Sequence, residues 1–418
     1  MAGILTPPSS TSSPQDDQLE RGIPKAHRWA RRGAVFGAGV ILFMLAAWVG
    51  TDPVENLSTD WTAFDNTADR VLSGEQVYRP YNGTTEPLPY LYPPYALWLT
   101  LPLGAVGFAG SFILSALLSI VCLATGLIWM GRSQRGPVDR TTGVIVGLAS
   151  GSAISSTLIG QYSGIYALAI GGAAQAWSRD RHGAAGAFLA LLWLKPNLAV
   201  AVPVVLLWSR SWRALRGFVL ATVCIMLASL PFGLDQWNGF FSNAKMMADL
   251  QEDGVVPFRK MVTIVGSVQT LLPVDSTDPA LIIFWLGSTA ILGVAVLSLW
   301  TRPALLESPT RALGALALFI VAANPRLYFY DSTLVVVGMF GIWLAAHGSS
   351  ASNSGQAVRV ISALAVLAWF GLWGGVFVSV NTIVGPVSAV AIVATAVFQR
   401  FSVVPEGQAA PVNGPSGL

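Results

Sequence analysis

Long apolar stretches separated by short polar connections run along most of this chain of 418 residues. Many of them are long enough for an α-helix to cross a hydrocarbon core of about 30 Å. The pattern predicts an all-α polytopic membrane protein with about 10–12 spans. The predicted spans are 33–50, 108–131, 142–158, 163–177, 183–195, 196–208, 215–231, 281–300, 312–324, 330–346, 358–378 and 383–399.

One apolar stretch is interrupted in its middle. Residues 183–209 hold a single charge, Lys195, which is followed by Pro196 and Asn197. A proline inside a helix removes a backbone hydrogen bond and disfavours helical geometry in the residue before it. Two half-length helices are therefore predicted here. Such a break at membrane depth is tolerated where it lines a protein or water-filled cavity.

The composition agrees with a membrane protein. The chain is 53% hydrophobic and 11% charged, whereas soluble domains carry about 25% charged residues. The net charge of +3 is therefore no sign of nucleic-acid binding. The two cysteines and three histidines show no metal-ligand spacing. We expect neither a metal nor another cofactor.

The basic residues indicate the orientation. If the chain starts in the cytoplasm and the spans alternate, most of the 24 lysines and arginines fall on the cytoplasmic side, as the positive-inside rule requires. Most of the 21 acidic residues then fall in two outer loops, 51–92 and 235–278. We expect a multi-pass protein of the plasma (inner) membrane with both termini in the cytoplasm.

The same pattern divides the chain into three parts. Residues 1–32 form a disordered basic tail, 33–399 a single transmembrane domain that opens with a signal-anchor helix, and 400–418 a flexible tail. An amphipathic helix is predicted over 60–73 in the first outer loop. Residues 92–104 are expected to re-enter the membrane or to lie along it, and residues 258–272 give a second amphipathic helix.

The first outer loop contains carboxylates just after the first span. Asp60 opens the predicted helix, where an acid favours the helix dipole; it is also a candidate general base at a membrane surface. Asp65 lies in the same helix, either as a solvated charge or as a second candidate base.

Other candidates lie at the outer ends of spans. Lys195 and Arg326 are charges at proline-containing breaks, either snorkelling to water or binding a lipid phosphate. Asp331 follows Arg326 closely, so the two could instead pair with each other. Gln161 is either a turn residue or a hydrogen-bond partner for a sugar, and Lys260 is either solvated or bound to a headgroup.

Five segments in order resemble one family. They are "DWTAFDNTADRVLSGEQVY", "YLYPPYALWLTLPLG", "IGQYSGIYALAI", "LKPNLAVAVPVVLLWSRSWRAL" and "NPRLYFYDSTLVVVG". Their order, spacing and sidedness resemble bacterial glycosyltransferase family 87 of the GT-C superfamily, from roughly residue 33 to 399. Members include mannosyl- and arabinofuranosyltransferases of cell-envelope glycolipids and polysaccharides. The resemblance implies a GT-C-like helix bundle.

The resemblance also implies a reaction. The donor is a sugar joined through phosphate to a polyprenyl lipid, the acceptor is a glycolipid or polysaccharide, and the reaction on the outer face inverts the anomeric carbon. The Asp that acts as general base in the family matches Asp60. Phe64 stands where the family often has Tyr, and Asp65, which follows it, is the second choice for the base. Cations must hold the leaving phosphate, and Lys195, Arg326 and then Lys260 are the candidates.

Aromatic residues of the first outer loop complete the candidate site. Tyr90, Tyr92 and Trp61 either stack on sugar rings or anchor the protein at the interface, and Asp331 and Gln161 are candidates for binding sugar or acceptor. Two other functions remain open. A transporter or flippase of lipid-linked sugars would also have broken helices and intramembrane charges, and a polysaccharide polymerase or ligase would use a similar donor.

Overall fold

A computed structural model describes residues 59–79, 89–134, 140–252, 258–272, 274–348, 354–377 and 381–402. Within these ranges the regular structure is helical, apart from an isolated β-bridge between Met261 and Tyr328. The prediction of an all-α polytopic membrane protein is confirmed.

The helices follow the hydrophobic pattern closely. In chain order they are α1 (Thr59–Leu72), α2 (Leu97–Gly104), α3 (Gly107–Ser133), α4 (Arg140–Leu148), α5 (Gly151–Ile159), α6 (Gly164–Trp177), α7 (His182–Ala190), α8 (Pro196–Ala199), α9 (Ala201–Trp208), α10 (Trp212–Leu227), α11 (Asp235–Glu252), α12 (Ile264–Leu271), α13 (Pro279–Leu299), α14 (Arg302–Glu307), α15 (Pro309–Ala323), α16 (Thr333–His347), α17 (Ser354–Phe377) and α18 (Val384–Ser402).

Five segments in the described ranges are long and apolar enough to cross a membrane. They are Gly107–Ser133, Trp212–Phe232, Pro279–Leu299, Phe329–His347 and Gly355–Val376. Helices α4 and α5, bent by 45°, make a sixth if they count as one broken span. Shorter apolar helices lie at other predicted spans, among them Pro309–Ala323 and Val384–Arg400. The first predicted span, 33–50, lies outside the described residues.

The buried centre of the bundle is formed by α6, α15 and α16. Tyr166, Ile170, Leu316 and Leu334 on these helices are fully buried. By contrast, α10 and α13 expose large apolar side chains such as Leu220, Ile283 and Val294. An apolar surface of this kind is stable in lipid and would be costly in water, so these two helices form part of the lipid-facing surface.

The predicted break at Lys195 is present. Helix α7 tightens into a 3-10 turn, Leu191–Leu194, and α8 starts at Pro196. Lys195 is extended, with φ −125° and ψ 107°, because the proline ring disfavours helical geometry in the preceding residue. The break therefore presents the Lys195 side chain at the junction of two short helices.

The segments predicted to form the outer loops differ partly from expectation. A single helix over 258–272 is wrong: the chain forms a 3-10 turn, Phe258–Lys260, and then α12. In between, the Val262 amide donates to the Leu327 carbonyl at 3.0 Å, and the side chain of Thr263 caps the new helix by accepting from the Gly266 amide. Pairing with another loop thus replaced helical hydrogen bonds.

A left-handed turn joins α5 to the polar break that follows it. Gly160 has φ +83°, and a Cβ atom there would lie 2.8 Å from the Trp61 ring. We expect Gly160→Ala to destabilise the protein by about 2 kcal/mol, since an L side chain is strained in this conformation and Trp61 must also shift. Thermal unfolding in detergent measures the effect. Gly287→Ala is the matched control, because a Cβ there meets nothing within 4 Å. Equal melting temperatures for both variants would contradict the role of this turn.

Candidate active site

An open cleft of about 380 Å³ brings together residues from distant parts of the chain. Most of the polar and aromatic candidates from the sequence line it: Tyr90, Tyr92, Gln161, Lys195, Arg326 and Asp331. Helix α1 adds Ala63 and Phe64, and helix α11 adds a further wall. The cleft lies where the Lys195 break, the loop before α16 and the turn after α5 converge.

An ion pair lies at the floor of the cleft. The Lys195 ammonium is 2.6 and 2.7 Å from the two carboxylate oxygens of Asp331. It also lies 5.5 Å from the Tyr92 ring centroid and 5.0 Å from that of Tyr330. The alternative that Asp331 pairs with Arg326 is therefore wrong: Lys195 is its partner. The second charge lowers the cost of burying the first.

Arg326 lies on the neighbouring loop and is half-buried. Its amide donates to the Asn324 side chain at 3.0 Å, and the Asn197 amide group donates to the Arg326 carbonyl at 3.5 Å. The loop is thereby attached to the break that carries Lys195. The sequence signal for this link is weak: each break has an Asn next to a proline, Pro196-Asn197 and Asn324-Pro325.

Aromatic side chains form one wall of the cleft. The Phe64 ring centroid lies 5.5 Å from that of Tyr90 and 5.2 Å from that of Tyr92. The Tyr92 hydroxyl donates to Gln161 Oε1 at 2.6 Å. Burial, above all, raises the pKa of Tyr92 well above its ordinary value, so the phenol stays neutral and keeps its proton. The hydrogen bond from Tyr92 holds the buried Gln161 side chain in this wall. A residue that only formed a turn would not require such a partner.

Trp61 occupies a different place from the one expected. Its side chain is 1% exposed, its ring stacks on Phe64, and its indole N–H donates to Ser111 Oγ at 2.9 Å. The burial of this side chain and the bond from its N–H place Trp61 in the protein core rather than at a sugar-binding or interfacial surface. Trp61 instead fixes α1 to α3.

The two candidate bases on α1, Asp60 and Asp65, occupy different faces of the helix. Asp60 is the second residue of α1, in the first turn, and its side chain lies outside what the structure describes. Position 60 precedes Ala63 and Phe64 by one helical turn, and residues at this spacing share a face. The backbone therefore places position 60 on the same helical face as those two cleft-lining residues.

Asp65 turns toward α3. Its Oδ1 lies 3.3 Å from Ser111 Oγ. Burial, more than the neighbouring Asp69, raises the pKa of Asp65 above its usual value, and the hydrogen bond from Ser111 partly offsets this. Asp65 lies outside the set of described residues that line the cleft.

Lys260 lies close to the cleft without lining it. It ends the 3-10 turn Phe258–Lys260, and the next residue, Met261, forms the β-bridge with Tyr328. Since Tyr328 does line the cleft, Lys260 is only a few residues from its rim.

The wall formed by α11 is not predicted from the sequence. Phe240, Ala244, Met247 and Ala248 follow the i, i+4, i+7, i+8 spacing of one helical face and line the cleft. The Asn243 amide group donates to the Tyr90 carbonyl at 3.4 Å, which fixes the helix over the aromatic wall. The polar residues between these positions lower the mean hydropathy of α11, so it does not stand out as an apolar stretch.

The cleft is accordingly lined by charged and aromatic groups together with the apolar side chains of α11. Within the described residues, no group of three or more His, Cys, Asp or Glu side chains is arranged to hold a metal ion. Positive charge next to an apolar wall suits a molecule in which an anionic group is joined to a hydrocarbon.

The family model described as glycosyltransferase family 87 matches residues 90–325, more than half of the chain. This range includes every cleft-lining segment except α1, Pro89 and the loop from Arg326 onward. A search of curated proteins finds no match.

Proposed function

We propose, since this chain belongs to glycosyltransferase family 87 and is therefore a membrane glycosyltransferase, that its donor is a sugar linked through phosphate to a polyprenyl lipid. The observation that carries this proposal is the composition of the cleft. Lys195 and Arg326 lie in it together with the apolar wall of α11. A site for a nucleotide sugar would need no such wall. In a polyprenyl phosphate the hydrocarbon chain is attached directly to the phosphate, so an apolar surface is needed next to the cations.

Asp60 is the proposed general base. An acceptor hydroxyl must lose its proton as its oxygen attacks the anomeric carbon, and one carboxylate is sufficient to take that proton. Attack from the side opposite the phosphate forms the new glycosidic bond while the old carbon–oxygen bond to the phosphate breaks, so the configuration inverts. The location of position 60 on the face of α1 that carries Ala63 and Phe64 supports this role.

Positive side chains stabilise the departing polyprenyl phosphate. Arg326 is the first candidate, because its planar guanidinium can donate two parallel hydrogen bonds to a phosphate. Lys195 is the second, since its ammonium has a third N–H beyond the two oxygens of Asp331 that it contacts. Lys260 stays a candidate at the rim.

The aromatic wall is the proposed binding surface for the sugar. Phe64, Tyr90 and Tyr92 offer apolar rings next to the amide of Gln161, and stacked sugars need both apolar faces and hydrogen-bond partners. Mannose and arabinofuranose are the sugars that family resemblance favours. The proposed acceptor is a glycolipid or polysaccharide of the cell envelope, and the proposed side of reaction is the outer face of the plasma membrane.

A vesicle assay separates this function from its rivals. Purified protein is reconstituted with a radiolabelled polyprenyl-phosphate sugar and an extract of membrane glycolipids. We expect label to move from the donor into one new, larger glycolipid whose anomeric configuration is opposite to that of the donor. Label that crosses the membrane while staying on the original donor would indicate a flippase and contradict the proposal. A ladder of long products would indicate a polymerase.

A further inference from the structure

The ion pair at the floor of the cleft is largely closed to solvent on one side. The side chain of Asp331 is 2% exposed, whereas that of Lys195 is 17% exposed. Both oxygens of Asp331 contact the same ammonium, and the rings of Tyr92 and Tyr330 lie beside it. One carboxylate and two π faces thus surround the ammonium, an arrangement that stabilises a cation.

This geometry leaves Asp331 poorly suited to the sugar-binding role that the sequence indicated. A sugar hydroxyl would have to reach an oxygen that is buried and that already accepts a charge-assisted hydrogen bond. Lys195 is the member of the pair that reaches the open part of the cleft. Any contact between the pair and a ligand is therefore made through the ammonium.

We propose that Asp331 is a positioning residue that acts as the internal counter-ion of Lys195 and competes with the substrate phosphate for the ammonium. It holds the ammonium between the two tyrosine rings, and it keeps the pair electrically neutral. It thereby limits the affinity of the cleft for polyprenyl phosphate. This inference rests on the proposed function, because it concerns the same donor phosphate.

The charges of the donor and of the product explain why a competing carboxylate would help turnover. The donor is a phosphodiester with one negative charge. Transfer breaks the bond between phosphate and sugar and leaves a phosphate monoester, which carries about −1.5 to −2 charges at neutral pH. An ammonium without a counter-ion would therefore hold the product more strongly than the donor. The carboxylate of Asp331 weakens that preference, so the product leaves and the enzyme turns over.

The sign of the effect distinguishes this role from a contact with the sugar. Asp331→Asn keeps the size of the side chain but removes its negative charge. The phosphate should then become the counter-ion of Lys195, and polyprenyl phosphate should bind about tenfold more tightly. A residue that binds the sugar, or one that only supports the fold, would leave this affinity unchanged or lower it.

The experiment measures equilibrium binding of polyprenyl phosphate, which carries no sugar, to purified protein in nanodiscs. Four proteins are compared: wild type, Asp331→Asn, Lys195→Met and the double variant. We expect tighter binding for Asp331→Asn, weaker binding for Lys195→Met, and a double variant that binds about as weakly as Lys195→Met, because a competitor for the ammonium has no effect once the ammonium is gone. In the transfer assay, Asp331→Asn should lower both the KM for the donor and kcat, because release of product becomes slower.

Each outcome of the binding experiment either supports or overturns the role of Asp331 as counter-ion. Polyprenyl phosphate that binds to Asp331→Asn no more tightly than to wild type overturns the inference. If Asp331→Asn does not fold, Lys195→Met and the double variant carry the same test, since neutralising both charges avoids a buried unpaired charge. Polyprenyl phosphate that binds to Lys195→Met and to the double variant as tightly as to wild type then overturns it, because the phosphate would have no contact with the ammonium. Wild-type protein that does not bind polyprenyl phosphate at all would overturn the proposed donor as well.

Discussion

Asp60→Asn should lower the rate of glycosyl transfer by about 10²–10⁴-fold, the usual contribution of a positioned general base. The amide keeps the shape of the carboxylate but cannot accept the proton of the acceptor hydroxyl. The loss should appear in kcat, with little change in the KM for the donor, because the base acts on the acceptor hydroxyl rather than on the phosphate. Initial rates of label transfer in vesicles measure it.

Asp65→Asn is the matched control for this experiment. It makes the same chemical change on the same helix, but Asp65 faces Ser111 on α3. We expect it to retain most of the activity and the same elution profile in detergent. The opposite result, with Asp65→Asn inactive and Asp60→Asn active, would transfer the role of base to Asp65.

Arg326→Ala should weaken donor binding by about 10–100-fold, the range expected from loss of a hydrogen bond to a charged group. The truncation removes a guanidinium from the cleft, while the loop should keep its backbone contacts with Asn197 and Asn324. The KM for the acceptor should change much less, because the acceptor brings no phosphate to this group. Kinetics with one substrate varied at a time separate the two effects.

Arg259→Ala provides the control for charge in general. Arg259 is exposed and lies outside the described lining of the cleft. Since exposed charges act weakly on a ligand in water, its removal should leave the KM for the donor near that of wild type. Equal losses from Arg259→Ala and Arg326→Ala would mean that the surface attracts the lipid as a whole and that Arg326 has no special contact with phosphate.

The helices of this protein could be predicted well from sequence because the bilayer imposes a simple rule. A backbone in lipid must satisfy its own hydrogen bonds, so each long apolar stretch is a helix. The proline at 196 gave the break at Lys195 for an equally local reason, since it restricts the residue before it. The order of the motifs indicated a resemblance to a family, and the match to the family model over residues 90–325 confirms membership of that family.

The contacts between distant segments could not be predicted in the same way. The partner of Lys195 is Asp331, far along the chain, and no local pattern reveals which of two nearby charges a lysine meets. The core position of Trp61 depends on Ser111 of another helix. Helix α11 mixes polar and apolar residues at helical spacing, and only its contact through Asn243 with Tyr90 shows that its apolar face forms a wall of the cleft.

The most direct test compares two donors that carry the same sugar, one linked to polyprenyl phosphate and the other to a nucleoside diphosphate. Both are given to the purified protein in vesicles with a glycolipid acceptor, and transfer of label is measured for each. We expect transfer from the lipid-linked donor alone, because the cleft joins Lys195 and Arg326 to the apolar wall of α11. Transfer from the nucleotide-linked donor, with the lipid-linked donor inert, would contradict the account.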